Sequence, residues 1–184
     1  MTQPSVIPSL SRNLRRPVFS DPTHASALLR ELDSWLGTPW AHMANRPGKQ
    51  LARKGVGGDC VTIILTALYN VGAVEPLDLP AHVAAPGISA ENEVAHSITK
   101  FVRPFLDAGR LELINPKRDP LMMGDLLTFK MGGARDHHLG ITHASTWFYH
   151  CPGPGYVFMR SSLNEFGSRF QSAYRLIQQQ ETSE

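Results

Sequence analysis

The sequence has little cysteine and no long apolar run, and each absence excludes a class of protein. Cys60 and Cys151 are the only cysteines in 184 residues, which is too few for a secreted scaffold built on disulfides. No apolar stretch approaches the ~18 residues that cross a bilayer, so a membrane-spanning protein is excluded. The formal net charge of only +2 gives no indication of a nucleic-acid partner. With 42% hydrophobic and 18% charged residues, the composition is typical of one compact domain.

Residues 1–20 lack both acidic residues and the continuous apolar core of a secretory signal. They carry Arg12, Arg15 and Arg16, and three prolines break any helix there. We therefore predict a flexible basic extension over residues 1–20, outside the fold, and a single domain over residues 21–180. An amphipathic targeting presequence and a start codon assigned too far upstream are the alternatives for the extension.

The first part of this domain has the apolar periodicity of helices. Apolar residues recur at three- and four-residue spacing over residues 21–36 and again over 91–108, where Pro104 should kink or end the helix. Residues 61–71 are apolar on nearly every side, which favours a helix in the middle of the domain, although their β-branched residues would allow a strand. Residues 37–58 are rich in glycine and proline and predict a long surface loop.

From residue 124 onward, short β-rich runs are separated by glycine, proline and polar clusters. The five predicted strands cover residues 126–130, 138–144, 147–151, 156–160 and 173–177. Helices followed by an antiparallel meander predict an α+β fold, with the helices packed on the sheet.

Cys60 lies where the glycine-rich loop meets the apolar helix. Asp59 can cap that helix, which places Cys60 in the first turn, where free N–H groups and the helix dipole favour a thiolate. We therefore expect the pKa of Cys60 to lie below the ~8.5 of a free cysteine. The alternative is a buried structural cysteine, the commoner fate of a cysteine beside an apolar run. Cys151 has no helix terminus and should be an ordinary thiol in a different microenvironment, although the sequence cannot forbid a Cys60–Cys151 disulfide.

A thiolate nucleophile needs an imidazole that holds the ion pair and later protonates the leaving amine. Strand alternation places His138 on one face of its strand, with His137 and His143 on the other, and only one set can face the cysteine. In the next strand His150 points away from Cys151, and it is the polar residue placed to orient a base on the neighbouring strand.

The same residue types invite a zinc interpretation, because histidine and cysteine are the ligands that zinc prefers. Alternation splits the four histidines between two faces, and neither Cys-x-x-Cys nor His-Glu-x-x-His is present. We expect no metal site, and we interpret His137 and His143 as exposed or hydrogen-bonded surface residues.

Five sequence blocks, in order, resemble the NlpC-type cysteine peptidases. They are LGTPW at 36–40, GGDC at 57–60, MGDLLTF at 123–129, HLGI at 138–141 and FYH at 148–150. The resemblance covers about residues 28–177 and implies a papain-like α+β fold that cleaves peptide stems of peptidoglycan, commonly between D-glutamate and a diamino acid. Carried over by motif, Cys60 resembles the nucleophile, His138 the base and His150 the orienting residue, with no cofactor.

The chain departs from this family pattern near the nucleophile. Val61 and Thr62 stand where many members have a Ser-Gly pair, and Trp40 stands where a tyrosine is usual, which removes one hydroxyl from the site. Trp40 and Asp59 are the candidate substrate-binding residues. Acyl- or amide-transferring enzymes on the same scaffold keep the cysteine and histidine, so this reaction class stays open.

The insertion between residues 40 and 57 and the tail MRSSL at 159–163 are similar to versions found in phage tails and phage-like particles. Such enzymes are delivered by the particle, which suits a chain made in the cytoplasm without a signal peptide. The resemblance implies peptidoglycan peptides as substrate and phage-tail proteins as partners, and neither nucleic acid nor a membrane is expected. A catalytically inactive tail component with the same fold is the remaining alternative.

Overall fold

The structure is a computed structural model that describes residues 16–41, 52–74, 98–131 and 137–178. Its helices are α1 (Pro22–Asp33), α2 (Cys60–Asn70), α3 (Ile98–Asp107) and the short α4 (Leu163–Phe166). Its strands are β1 (Leu111–Ile114), β2 (Leu126–Phe129), β3 (His138–Ala144), β4 (Trp147–His150), β5 (Met159–Ser162) and β6 (Phe170–Leu176). No helix in these four ranges is long and apolar enough to cross a membrane.

The six strands form one antiparallel sheet in the order β1-β6-β2-β3-β4-β5. Helix α2 packs on this sheet, mainly against β3, and α1 packs against α2. The predicted α+β arrangement, with helices on an antiparallel sheet, is therefore confirmed.

The sheet is buried on both faces. On the face toward α2, which we call the helix face, Leu139, Ile141 and Tyr149 join the main core, to which residues 61–68 of the helix contribute. On the opposite face, a smaller cluster contains Phe129 and Phe148. Each fully buried side chain of this size contributes roughly 1.5–3 kcal/mol, so both clusters hold the sheet in place.

Strand boundaries follow the sequence prediction closely in β2, β3 and β4 and differ in β5, which covers 159–162 rather than 156–160. The difference arises because residues 156–158 pair with the loop after α1 instead. The Trp40 N–H donates to the Tyr156 carbonyl (2.9 Å), and the Phe158 N–H donates to the Thr38 carbonyl (2.8 Å). Strand β6 begins three residues before the predicted start, and β1 was not predicted.

Helix α3 continues through Pro104 to Asp107, so of the two predicted outcomes, a kink or an end at this proline, the end does not occur. The Pro104 carbonyl still accepts a hydrogen bond from Ala108 N–H (3.0 Å), because proline lacks a donor but keeps its acceptor. The predicted start of this helix, residues 91–97, lies outside the described residues.

Residues 16–20, which the prediction assigned to the extension, pack against the domain. Phe19 is buried, and its ring lies over Gly124 so closely that a Cβ at Gly124 would be 2.2 Å from Phe19 Cδ2. The Gln178 N–H donates to the Arg16 carbonyl (2.9 Å), which ties this segment to the end of β6. Residues 1–15 of the predicted extension lie outside the described residues.

Candidate active site

The N-terminus of α2 is closed by a capping box. The Asp59 carboxylate accepts hydrogen bonds from the N–H groups of Val61 (3.2 Å) and Thr62 (2.8 Å), and the Asp59 N–H donates to the Thr62 hydroxyl (2.9 Å). The predicted cap at Asp59 is thus confirmed. The threonine that departs from the family pattern supplies the second half of the box, which holds Cys60 in the first helical turn.

Three backbone segments meet immediately before Cys60. The Gly58 N–H donates to the Pro39 carbonyl (3.2 Å), and the Ala41 N–H donates to the Gly58 carbonyl (3.0 Å), so the loop containing Trp40 lies alongside the cysteine. A Cβ at Gly58 would lie 2.6 Å from Ala52 Cβ, so this close approach requires glycine. The half-buried Trp40 therefore lies beside the segment that leads into the candidate nucleophile.

His138 and His150 are in direct contact. The Nε2 atom of His138 and the Nδ1 atom of His150 are 2.8 Å apart, and the two side chains are 3% and 0% exposed. Gly140 pairs with His150 across β3 and β4, which makes His138 the diagonal neighbour of His150 on one face. The predicted alternation is confirmed for these two residues.

Aromatic rings surround the two imidazoles on the opposite face of the sheet. The ring centroid of His150 lies 4.6 Å from that of Phe148 and 5.1 Å from that of Phe166. Burial lowers the pKa of His150 to about 4. Burial and then the charge of His150 lower the pKa of His138 to about 3. Both imidazoles are therefore neutral near neutral pH, because desolvation disfavours the charged form.

Ser161 extends the pair into a chain of three side chains. Its Oγ atom lies 2.8 Å from His150 Nε2, and the residue is 7% exposed. Sequence reasoning missed Ser161, because the predicted strand ended at residue 160. A predicted strand that began three residues later, at Met159, would have included Ser161.

Cys60 is a half-buried free thiol beside β3. Burial and the charge of Asp59 raise the pKa of Cys60 to about 12, although the Leu139 N–H donates to its sulfur and opposes this rise. The prediction of a depressed pKa is therefore wrong, because desolvation outweighs the helix terminus. Among the described residues, no hydrogen bond joins Cys60 to His138; the contact to β3 is made one residue further along, at Leu139.

Cys151 shares the surroundings of Cys60. It is buried, its Sγ lies 3.9 Å from the Gly58 carbonyl, and burial and the charge of Asp59 raise its pKa to about 12. The prediction of separate microenvironments is wrong, because both thiols pack into the core on the helix face and interact electrostatically. The predicted orientation of Cys151 away from His150 is confirmed by its place in that core.

The other two candidate histidines take no part in the hydrogen bonds that link His138, His150 and Ser161. His137 is half-exposed, and its N–H donates to the Phe129 carbonyl (3.1 Å). His143 is half-exposed as well, its ring packs edge-on against the Tyr149 ring, and its buried Nδ1 atom has no hydrogen-bond partner within the described ranges. Within the described ranges, no three His, Cys, Asp or Glu side chains are grouped so as to hold a metal ion.

Comparison with solved structures identifies the fold. No protein-family model and no curated protein matches the sequence. A crystal structure from Staphylococcus aureus subsp. aureus Mu50, of a protein similar to a lipoprotein of the NLP/P60 family, matches with a TM-score of 0.53 and 17% identity over 89% of this chain and 44% of that one. NlpC2 from Trichomonas vaginalis matches with a TM-score of 0.51 and 17% identity over 84% of this chain and 48% of that one.

The P60 domain of an antigen from M. avium subspecies paratuberculosis matches with a TM-score of 0.50 and 13% identity, over 86% of this chain and 98% of that domain. The chain thus spans less than half the length of the first two proteins and nearly all of the third. At these identities the likeness establishes the fold, and the predicted papain-like α+β fold is confirmed as that of NlpC/P60 domains.

Proposed function

We propose that this chain is a cysteine peptidase of the NlpC/P60 type that hydrolyses amide bonds in the peptide stems of peptidoglycan. The observation that carries the proposal is the 2.8 Å contact between His138 Nε2 and His150 Nδ1, one residue along β3 from Leu139, whose N–H donates to the sulfur of Cys60. Nucleophile, base and orienting group are the parts that acyl transfer requires on unrelated folds. The five sequence blocks and the fold support the same assignment.

In the first half of the reaction, Cys60 Sγ attacks the carbonyl carbon of the substrate. Because burial keeps both the thiol and the imidazole neutral, the thiol proton passes to His138 Nδ1 as the S–C bond forms. His138 Nδ1 is the nitrogen that His150 leaves available. The backbone N–H of Cys60, at the helix terminus, stabilises the developing oxyanion.

In the second half, His138 gives the proton on Nδ1 to the leaving nitrogen, the C–N bond breaks, and a thioester to Cys60 remains. A water molecule then attacks the thioester carbonyl while His138 accepts its proton. The C–S bond breaks, the proton on His138 returns to sulfur, and the product leaves as a carboxylic acid, which ionises in water.

Of the two candidate substrate-binding residues, we assign the contact with substrate to Trp40. Its backbone pairs with Gly58, two residues before the nucleophile, and its ring is only half-buried. The Asp59 side chain is 6% exposed, and its carboxylate accepts the hydrogen bonds of the helix cap. Asp59 therefore contributes by holding Cys60 in place rather than by direct contact with substrate.

The family resemblance supports two finer proposals. The bond cleaved is that between D-glutamate and a diamino acid, and the enzyme is carried to the wall by a phage tail or phage-like particle with which it associates. The first rests on the five sequence blocks, and the second on the insertion between residues 40 and 57 and the tail at residues 159–163.

Digestion of purified peptidoglycan, followed by mass spectrometry of the released fragments, tests the function and the bond together. We expect fragments with a new amine on the diamino acid, and none from the Cys60→Ala variant. Transfer to an added acyl acceptor without net hydrolysis would instead identify an acyltransferase. A wild-type chain that releases and transfers nothing would be a binding component on the same fold.

A further inference from the structure

We propose that Ser161 is a positioning residue that holds His150 in the tautomer required for His138 to act as a base. The inference rests on the proposed function for its catalytic consequence, but the tautomer itself is a property of the free protein. It starts from the chain His138–His150–Ser161, in which both contacts are 2.8 Å and all three side chains are buried.

Because both imidazoles are neutral, only one nitrogen of each ring can carry a proton. A neutral imidazole carries one N–H, so a single proton lies between His138 Nε2 and His150 Nδ1. If His138 holds it, His138 Nδ1 has a free lone pair, and His150 must carry its own proton on Nε2, facing Ser161. If His150 holds it, the proton of His138 is on Nδ1, and His138 cannot accept a proton from a thiol.

The base-competent arrangement therefore requires an acceptor for the N–H at His150 Nε2. Ser161 Oγ lies at hydrogen-bonding distance from that nitrogen. Among the described residues, the aromatic rings in contact with the His150 ring are those of Phe148, Phe166 and His138. The phenylalanines offer no lone pair, so loss of the serine hydroxyl would leave a buried N–H without an acceptor, which is unfavourable.

Backbone pairing places Ser161 rigidly. It pairs with Phe148 across β4 and β5, which makes it the diagonal neighbour of His150. Both side chains therefore lie on the same face of the sheet, the one away from α2. The adjacent Ser162 has a different task, since its Oγ accepts a hydrogen bond from the Asn164 N–H (3.2 Å) and caps α4. Ser162 is therefore a matched control for loss of one hydroxyl in the same strand.

The first test is NMR of the full chain labelled with 15N in its histidine rings. Ring nitrogen shifts distinguish N–H from bare nitrogen, and we expect both His138 and His150 to carry their proton on Nε2 in the wild-type protein. In Ser161→Ala, we expect His150 to shift toward the Nδ1–H form. A wild-type His150 with its proton on Nδ1 would overturn the proposal without any variant.

The second test is kinetic and uses peptidoglycan as substrate. Ser161→Ala should lower kcat by about tenfold and leave KM within about twofold of wild type, since the lost interaction does not touch substrate. Ser161→Thr keeps the hydroxyl and should retain most of the activity, and Ser162→Ala should be close to wild type. Thermal unfolding of each variant confirms that it is folded.

Three results would count against the role of Ser161: a Ser161→Ala variant with wild-type kcat and an unchanged tautomer, a Ser161→Thr variant as impaired as Ser161→Ala, or an equal loss in Ser162→Ala. The last two would indicate packing rather than proton placement. If the wild-type chain hydrolyses nothing, the proposed function fails, and the NMR measurement still decides the tautomer of His150.

Discussion

The helix face and the opposite face of the sheet bury different chemistry. The helix face belongs to the larger core, which combines aliphatic side chains with rings such as Trp35 and Tyr149 and includes both thiols. The opposite face holds a smaller cluster with Phe129 and Phe148, beside the hydrogen-bonded side chains of His138, His150 and Ser161. Burial disfavours charge on both faces, and the linked imidazoles of the opposite face also restrict which ring nitrogens can carry a proton.

The largest expected effect is on catalytic activity, and it distinguishes residues on the two faces of β3. His138→Ala should lower kcat/KM by about 10³-fold or more, because the base and acid of both steps is lost. His143→Ala, from the helix face of the same strand, should stay within about threefold of wild type, because its ring packs against Tyr149 and takes no part in the proposed proton transfers. Assays of purified, folded variants check this, and the reverse order would show that we have chosen the wrong face of β3.

The pH dependence of stability should come mainly from the opposite face. The pKa values of His138 and His150 are lowered to about 3 and about 4, so below about pH 6.5 the unfolded chain binds protons that the folded chain does not. The free energy of unfolding should therefore fall as the pH decreases from about 6.5 to about 4, by up to about 1.4 kcal/mol per pH unit for each histidine.

Urea unfolding at several pH values measures this slope. His150→Gln should make it shallower, whereas His24→Gln, at an exposed site on α1, should leave it nearly unchanged. An identical slope in His150→Gln and wild type would show that His150 is not buried in its neutral form.

Gly140 tests how tightly the opposite face is packed. A Cβ there would lie 2.6 Å from Phe148 Cδ2, so Gly140→Ala must move a ring that also contacts His150. We expect a loss of about 1–3 kcal/mol in the free energy of unfolding, together with lower kcat. Gly167→Ala is the matched control, because a Cβ there meets no atom within 4 Å. Equal stabilities of the two variants, measured by denaturant unfolding, would contradict the close packing.

The smallest expected effect concerns the thiols of the helix face. Asp59→Asn should preserve the helix cap, since asparagine caps as well as aspartate, but remove the negative charge that raises the pKa of Cys60. Alkylation of Cys60 should therefore become faster at a given pH between about 7 and 9. Peptide mapping after brief alkylation separates Cys60 from Cys151. An unchanged or slower rate at Cys60 would mean that the charge of Asp59 does not reach the sulfur.

Several parts of the site could be predicted because they depend on local pattern. Asp59 stands directly before an apolar run, which is enough to predict a cap, and strand alternation is enough to put His138 and His150 on one face. Ser161 could not be found this way, since residues 156–158 read equally well as the start of a strand. Only the distant loop at residues 37–41, by pairing with them, decides that β5 begins later.

The sequence by itself determined the α+β fold, the cap at Asp59 and the separation of the histidines by face, because periodicity and capping act over a few residues. The tertiary structure alone decided the protonation of the site. The pKa of Cys60 is raised and those of His138 and His150 are lowered by desolvation, which depends on what packs against them from other elements. A helix terminus, which is visible in the sequence, lowers the pKa of a thiol. At Cys60 the desolvation caused by packing has the larger effect on the pKa and keeps the thiol neutral.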